Sequence, residues 1–391
     1  MSPTDLTSFQ QAFTIPAQGI TAASTTAGGV SNDACSTTST TSSCSDGNLV
    51  SQYLEAMAWY VPTTYFYNPN DSEKNHYQDV VMYLTSLVNP PKVLVLPTIN
   101  AYEADVSPTY ILAFNYLAIQ LGVMGVTLIV SAGNDGAPSS RINGKPSICA
   151  YTPLFPASSP YVLTVGATQG PEVGSSEVTA QRSSDGTSVP FTTGGGFSLR
   201  NPRPAWQNNA VSSYITTVRG TTNQPSIGYS TSGRGYPDIS AMGNKYLIRT
   251  GSILTSVSTT AASTAVIAGM ISLINSGRQG LGKSSMGFIN PFLYSSSSSS
   301  LFINDIQSGH NKCTSSGTCC REGFTAVSGW DPVSGLGSVK DFQVFYSTAV
   351  YGSLSIPPTS PPALRPHSIL KEEKVEEVVV KEGVLTSHLR G

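Results

Sequence analysis

Of the 391 residues, 39% are hydrophobic, enough for a substantial core, but only 11% are charged, less than half the roughly 25% usual in soluble domains. A formal net charge of −2 offers no electrostatic footprint for nucleic acid or for an anionic membrane surface. Ser, Thr, Gly and Pro replace the missing charges, a composition suited to a secreted or lysosomal/vacuolar protein, although no signal peptide is visible after Met1.

Residues 17–47 are rich in Gly, Ser and Thr and read as loop. Leu49, Val50, Tyr53, Leu54 and Met57 then recur at helical spacing, predicting a helix over Asn48–Tyr60 that Pro62 closes. Asn70-Asp71-Ser72 is a glycosylation sequon. Apolar runs at Lys92–Leu96, Val126–Ser131 and Tyr161–Val165 predict buried strands, with a helix over Pro108–Met124 between the first two. That order predicts an α/β fold, a doubly wound parallel sheet flanked by helices.

From 170 to 235 the chain is polar and Gly-rich. A helix is expected over Ala262–Asn275, where Ala265, Ala268 and Gly269 allow close approach to the sheet. Ser295–Ser300 reads as a solvated turn. No run of about 18 apolar residues stands out, so no membrane span is expected. The domain is expected to occupy residues 1–352. Residues 353–391 hold a Pro-rich spacer, Ser355–Pro366, and a Glu-, Lys- and Val-rich tail that reads as disordered or as a docking segment for a protein partner.

Cys35, Cys44, Cys149, Cys313, Cys319 and Cys320 lack zinc-site spacing, and the four histidines supply no ligand pattern. Disulfides are the expected state. Cys35 and Cys44 could close a short loop, and Cys313, Cys319 and Cys320 share another.

Seven segments carry a family resemblance. They are Ser131–Gly136 (SAGNDG), Phe155–Gly166, Gly194–Ser198 (GGGFS), Gly235–Ser240 (GYPDIS), Ala262–Asn275, Gly287–Tyr294 and Gly329–Gly337 (GWDPVSGLG). In this order, over roughly residues 1–350, they resemble the sedolisin (serine-carboxyl) peptidases, a family that includes tripeptidyl peptidases. The resemblance implies a subtilisin-like fold and a serine nucleophile activated by a glutamate that an aspartate supports. A serine hydroxyl needs an adjacent base, and a carboxylate base stays ionised in acid, where histidine would be protonated.

Carried onto this chain, the pattern puts Asp46 at the glutamate position and Val50 at the aspartate position, four residues apart on one helix face. The nucleophile motif falls on Ser258–Ala265 (STTAASTA), with Ala261 at the serine, Thr259 at a glycine and Ala265 at a proline. Ser258 and Ser263 lie off that register. Asn134 takes the oxyanion aspartate's position, where an amide could still donate, and Asp135 beside it reads as a turn residue. His76, His310, His367 and His388 offer no Ser-His-Asp substitute on the core scaffold.

Losing the nucleophile alone costs on the order of 10⁶ in turnover for a serine protease. A catalytically inactive peptidase homologue is therefore expected, with a peptide or protein held in the old substrate cleft. The alternatives are an acid peptidase working through non-standard residues, a deliberately inactivated form, and a structural or adaptor subunit. The resemblance also implies one structural Ca²⁺, held by the carboxylates of Asp305 and Asp331 and the carbonyls of Ile306, Val327 and Gly329.

Overall fold

The apolar runs become the middle of a seven-stranded sheet in the computed structural model of the chain, which describes residues 1–24, 42–67, 76–97, 101–182, 189–226, 228–251, 253–295 and 300–352. Its strands are β1 (Val93–Leu96), β2 (Thr127–Ser131), β3 (Leu163–Gln169), β4 (Val178–Thr179), β5 (Ile239–Met242), β6 (Ile303–Asn304) and β7 (Ser338–Val339). They lie in the order β6-β7-β5-β3-β2-β1, and β4 pairs with β3. Neighbours among β1, β2, β3, β5 and β7 are parallel, whereas β4 and β6 run antiparallel to their partners.

The helices used below are α1 (Pro3–Ala12), α2 (Ser42–Met57), α3 (His76–Thr85), α4 (Pro108–Val123), α5 (Asn208–Val218), α6 (Thr260–Gly280), α7 (Asn290–Leu293) and α8 (Phe342–Tyr351). Successive strand residues point to opposite faces, so each strand feeds two cores. Leu128 and Val130 join Val81 and Leu84 of α3 and Phe114 and Leu121 of α4 on one face. Ile129 joins Leu163, Val165, Ile267 and Ile271 of α6 and Phe345 of α8 on the other. Two apolar layers on one sheet explain why these strands read as continuous hydrophobic runs.

Helix α4 matches its expected bounds. The Ser107 side chain caps it by accepting from Tyr110 N at 3.1 Å, and Pro108 occupies its first turn. Helix α2 starts at Ser42, six residues before its expected start, so the reading of 17–47 as loop fails there. It fails again at Thr21–Ser24, a strand parallel to Thr64–Tyr67. The stretch 170–235 is also more ordered than its polarity suggests. It holds a strand, Gly196–Pro202, antiparallel to Gly233–Tyr236, and the helix α5. His76, expected in a polar loop, opens α3.

Helix α6 runs through the centre of the molecule. By length and composition it could cross a membrane, a feature the sequence reading passed over, but 67% of its apolar window is buried. It packs against α2, α8 and four strands of the sheet, which marks it as a core helix. Its small residues divide between two neighbours. Ala268 belongs to the sheet-side core, whereas a Cβ on Gly269 would lie 2.4 Å from Met57 Cβ, so Gly269 admits α2 and not the sheet.

Among the described residues two disulfides form, Cys149–Cys320 and Cys313–Cys319. Cys35, the Asn70 sequon, residues 296–299 and the tail from 353 lie outside the described residues.

Candidate functional site

The α2–α6 contact, with Asn134 bonded to the entry of α6, joins the elements that carry Asp46, Val50, Asn134 and Ala261, the positions expected from the sequence to be catalytic. Helix α2 carries Asp46 and Val50, both half-buried. Between them in sequence, Leu49 shares an apolar cluster with Ala261, Ala262, Tyr246 and Ile248. Ala261, on the first turn of α6, is 2% exposed. The position that the family resemblance assigns to the nucleophile thus carries a buried methyl group, in one apolar cluster with Leu49.

The turn that enters α6 is held by the amide of Asn134, from the loop after β2. Its Nδ2 donates to Thr259 Oγ1 at 2.9 Å, while its Oδ1 accepts from Thr260 N and Thr260 Oγ1, both at 2.9 Å. Thr259, with extended backbone, caps the helix through its hydroxyl, which accepts from Ala261 N at 3.2 Å. Threonine at the glycine position is thus a good N-cap. One of the two Nδ2 hydrogens of Asn134 is engaged with the turn, at the position where the resemblance implies an oxyanion donor.

Neighbouring hydroxyls are also committed. Ser263, fully buried, donates to the carbonyls of Ala241 and Met242 at 2.8 and 3.0 Å. Ser258 donates to Asn244 Oδ1 at 2.7 Å and accepts from Lys245 N. Thr264 donates to the Thr260 carbonyl. Asp135 accepts from Ser315 N and Oγ, tying its loop to the cysteine loop. None of these bonds pairs a hydroxyl with a carboxylate at the start of α6.

Sequence reasoning missed three buried charged groups. Glu103, fully buried, accepts from Ser158 Oγ at 2.7 Å, Leu199 N at 2.6 Å, Asn201 Nδ2 and Ser198 Oγ. Four donors let a carboxylate sit in the core, where it pins the strand that follows Gly194-Gly195-Gly196. Arg234 and Asp238 form a fully buried pair at 2.6 Å, and Asp238 also accepts from Thr164 N and Tyr294 Oη. Burial, then Asp238, holds the Tyr294 phenol well above its ordinary range. The only hint of these groups was their place beside Gly- and Pro-rich motifs.

Glu55 on α2 is different. It is 1% exposed, and neither carboxylate oxygen has a hydrogen-bond partner. Burial pushes its carboxyl up to about 7, with a weaker opposing pull from Thr63, whose hydroxyl donates to the Val61 carbonyl.

The five positions expected to hold calcium lie on two segments, 305–306 and 327–331, that hydrogen bonds join. Asp305 Oδ2 accepts from Gly329 N at 3.0 Å and Gln307 Nε2 at 2.8 Å, whereas its Oδ1 is buried without a partner. Asp331, fully buried, accepts from Val327 N, Val333 N, Ser334 N and Ser334 Oγ. That hydroxyl also reaches the Ile306 carbonyl at 3.5 Å. Burial raises the Asp331 carboxyl to about 8 against those donors. Among the described residues no three of His, Cys, Asp and Glu gather as a metal site. A cation here would rest on two carboxylates and backbone carbonyls, and the orphan Asp305 oxygen fits that role.

The fold has counterparts among known proteins. Residues 95–291, half of the chain, match the Subtilase family. Physarolisin of Physarum polycephalum is 33% identical over 265 residues, 61% of this chain and 44% of that protein. Tripeptidyl-peptidase 1 of Bos taurus is 33% identical over 299 residues, 75% of this chain and 50% of that protein. The chain spans about half the length of the curated relatives it matches. A solved Pseudomonas sedolisin, a serine-carboxyl proteinase, shares the fold at a TM-score of 0.65 and 23% identity, covering 89% of this chain and 88% of its own. With the motifs in family order and the subtilisin-like sheet in place, the chain belongs to the subtilase family, in its sedolisin, tripeptidyl-peptidase-like group.

Proposed function

We propose that this family member does not cut peptide bonds and instead holds a peptide or protein segment in the old substrate cleft. The observation that carries the reading is Ala261, a methyl group packed with Leu49 at the family's nucleophile position. The committed hydroxyls of Ser258 and Ser263 and the clamped amide of Asn134 support it. Without a nucleophile there is no covalent route, and without the second carboxyl, at Val50, there is no shared-proton pair to act as base.

The direct test is incubation with tripeptide-releasing and denatured-protein substrates at about pH 4, where a carboxylate mechanism operates. No turnover above buffer is expected, and a robust rate would overturn the reading. Peptide binding without turnover, followed by fluorescence anisotropy, is its positive counterpart.

One Ca²⁺ belongs to the same proposal, held by Asp305, Asp331 and the carbonyls of Ile306, Val327 and Gly329. Its role there is structural, tying residues 305–331 together. A secreted or lysosomal/vacuolar location also belongs here, supported by the two disulfides. Docking of a protein partner through the tail beyond residue 352 is tested by deleting 355–391 and looking for lost co-purifying proteins.

A further inference from the structure

Charge is scarce in this chain, so the place where it collects is informative. The loop after α5 and the stretch 310–325 enclose a cavity of ≈ 180 Å³ that none of the catalytic-position residues lines. Lys312, Arg321 and His310 line it. Neither Lys312 nor Arg321 forms an ion pair among the described residues, and the buried Nδ1 of His310 has no hydrogen-bond partner. Glu322 is the single acidic residue of the lining, and its carboxylate accepts from Ser226 N at 2.6 Å and Ser226 Oγ at 2.7 Å.

The wall that carries the cations is covalently fixed. Cys313, beside Lys312, bridges to Cys319, and Cys320, beside Arg321, bridges to Cys149. Two cations held on one stapled loop repel each other unless an anion sits between them. Burial, then Lys312, lowers the basicity of His310, in keeping with a site already rich in positive charge. Thr222 and Asn223, on the facing loop, bring polar side chains to the same space.

We propose that this cavity is a binding site for a small oxyanion, a carboxylate or phosphoryl group, held by Lys312 and Arg321 with His310 as a further donor. Such a site adds a second recognition point to the molecule, independent of whether the α2–α6 region binds or cuts peptides.

The test is calorimetric titration of the full chain with inorganic phosphate and, separately, succinate, at constant ionic strength balanced with chloride. Saturable binding of one or both probes at one site per chain is expected. Phosphate favoured over succinate points to phosphoryl ligands, and the reverse to carboxylates. Lys312→Gln with Arg321→Gln should weaken binding at least about tenfold, the loss expected for two charge-assisted contacts, while Arg200→Gln should leave it unchanged. Arg321 is exposed, so Arg321→Gln alone gives a readable answer should the double variant fail to fold. Absence of saturable binding by both probes, or equal binding by native and substituted chains, overturns the proposal.

Discussion

At position 261 the missing atom is easy to restore and hard to use. Ala261→Ser would set a hydroxyl beside Leu49, on a turn whose Asn134 amide and Thr259 hydroxyl already bond to each other. With Val50 on α2 where the family pattern has a carboxyl, the resemblance leaves that hydroxyl no acid pair to accept its proton. Ala261→Ser alone is expected to stay within about tenfold of background in the pH 4 peptidase assay, since the members of such a site act as a unit. Glu55 makes a separate prediction. Its folded carboxyl titrates near 7 rather than 4.5, so between those values the folded chain keeps a proton that the unfolded chain has released. Stability therefore falls as pH rises through this window and levels off above it, by a total on the order of 1–3 kcal/mol. Urea unfolding of native and Glu55→Gln protein at pH 5 and pH 7.5 checks this: the variant should lose Glu55's share of the slope and keep that of Asp331, whose carboxyl burial also raises.

At the scale of elements, the packing of α2 on α6 sets both the candidate site and its sensitivity. Gly269→Ala would gain helix propensity, but its new Cβ would meet Met57 Cβ at 2.4 Å, an atom that cannot swing aside. A loss of about 1–3 kcal/mol is expected from this overpacking, read as a lower denaturant midpoint. Asn134→Ala removes three hydrogen bonds at the α6 entry and leaves Thr259 and Thr260 groups short of partners, at a cost of about 1–3 kcal/mol.

Much of this level was legible beforehand. Helix α4 and the strands β1 and β2 follow from apolar periodicity and from Pro108, and their bounds differ from expectation by a residue or so. The first turns of α2 were not legible, because Ser42–Gly47 carries no apolar stripe and is helical through tertiary contact. Helix α5 does carry an apolar stripe, Val211, Tyr214 and Val218, which the polar stretch around it concealed. Glu103, two residues from Asp105, reads as a surface residue until the folded chain supplies its four donors.

For the whole molecule, the motifs in order sufficed to identify the sheet and its two helical layers, because a parallel sheet covered on both faces writes itself into the sequence as apolar runs. Cys149 was the gap, since partners 171 residues apart leave no local spacing to read. Calcium makes a prediction at this scale. At about a hundred times its dissociation constant, Ca²⁺ should stabilise the native chain by about 2.7 kcal/mol against unfolding, raising its melting temperature. Asp305→Ala should abolish the response, and chelation with EDTA should reverse it in the native protein.

The Cys149–Cys320 bridge has a consequence for how damage to this molecule would be seen. A protease that cut the backbone once anywhere between those two residues would leave the pieces joined through sulfur. Such a nicked chain would migrate as a single band on a denaturing gel and separate into fragments only after thiol treatment.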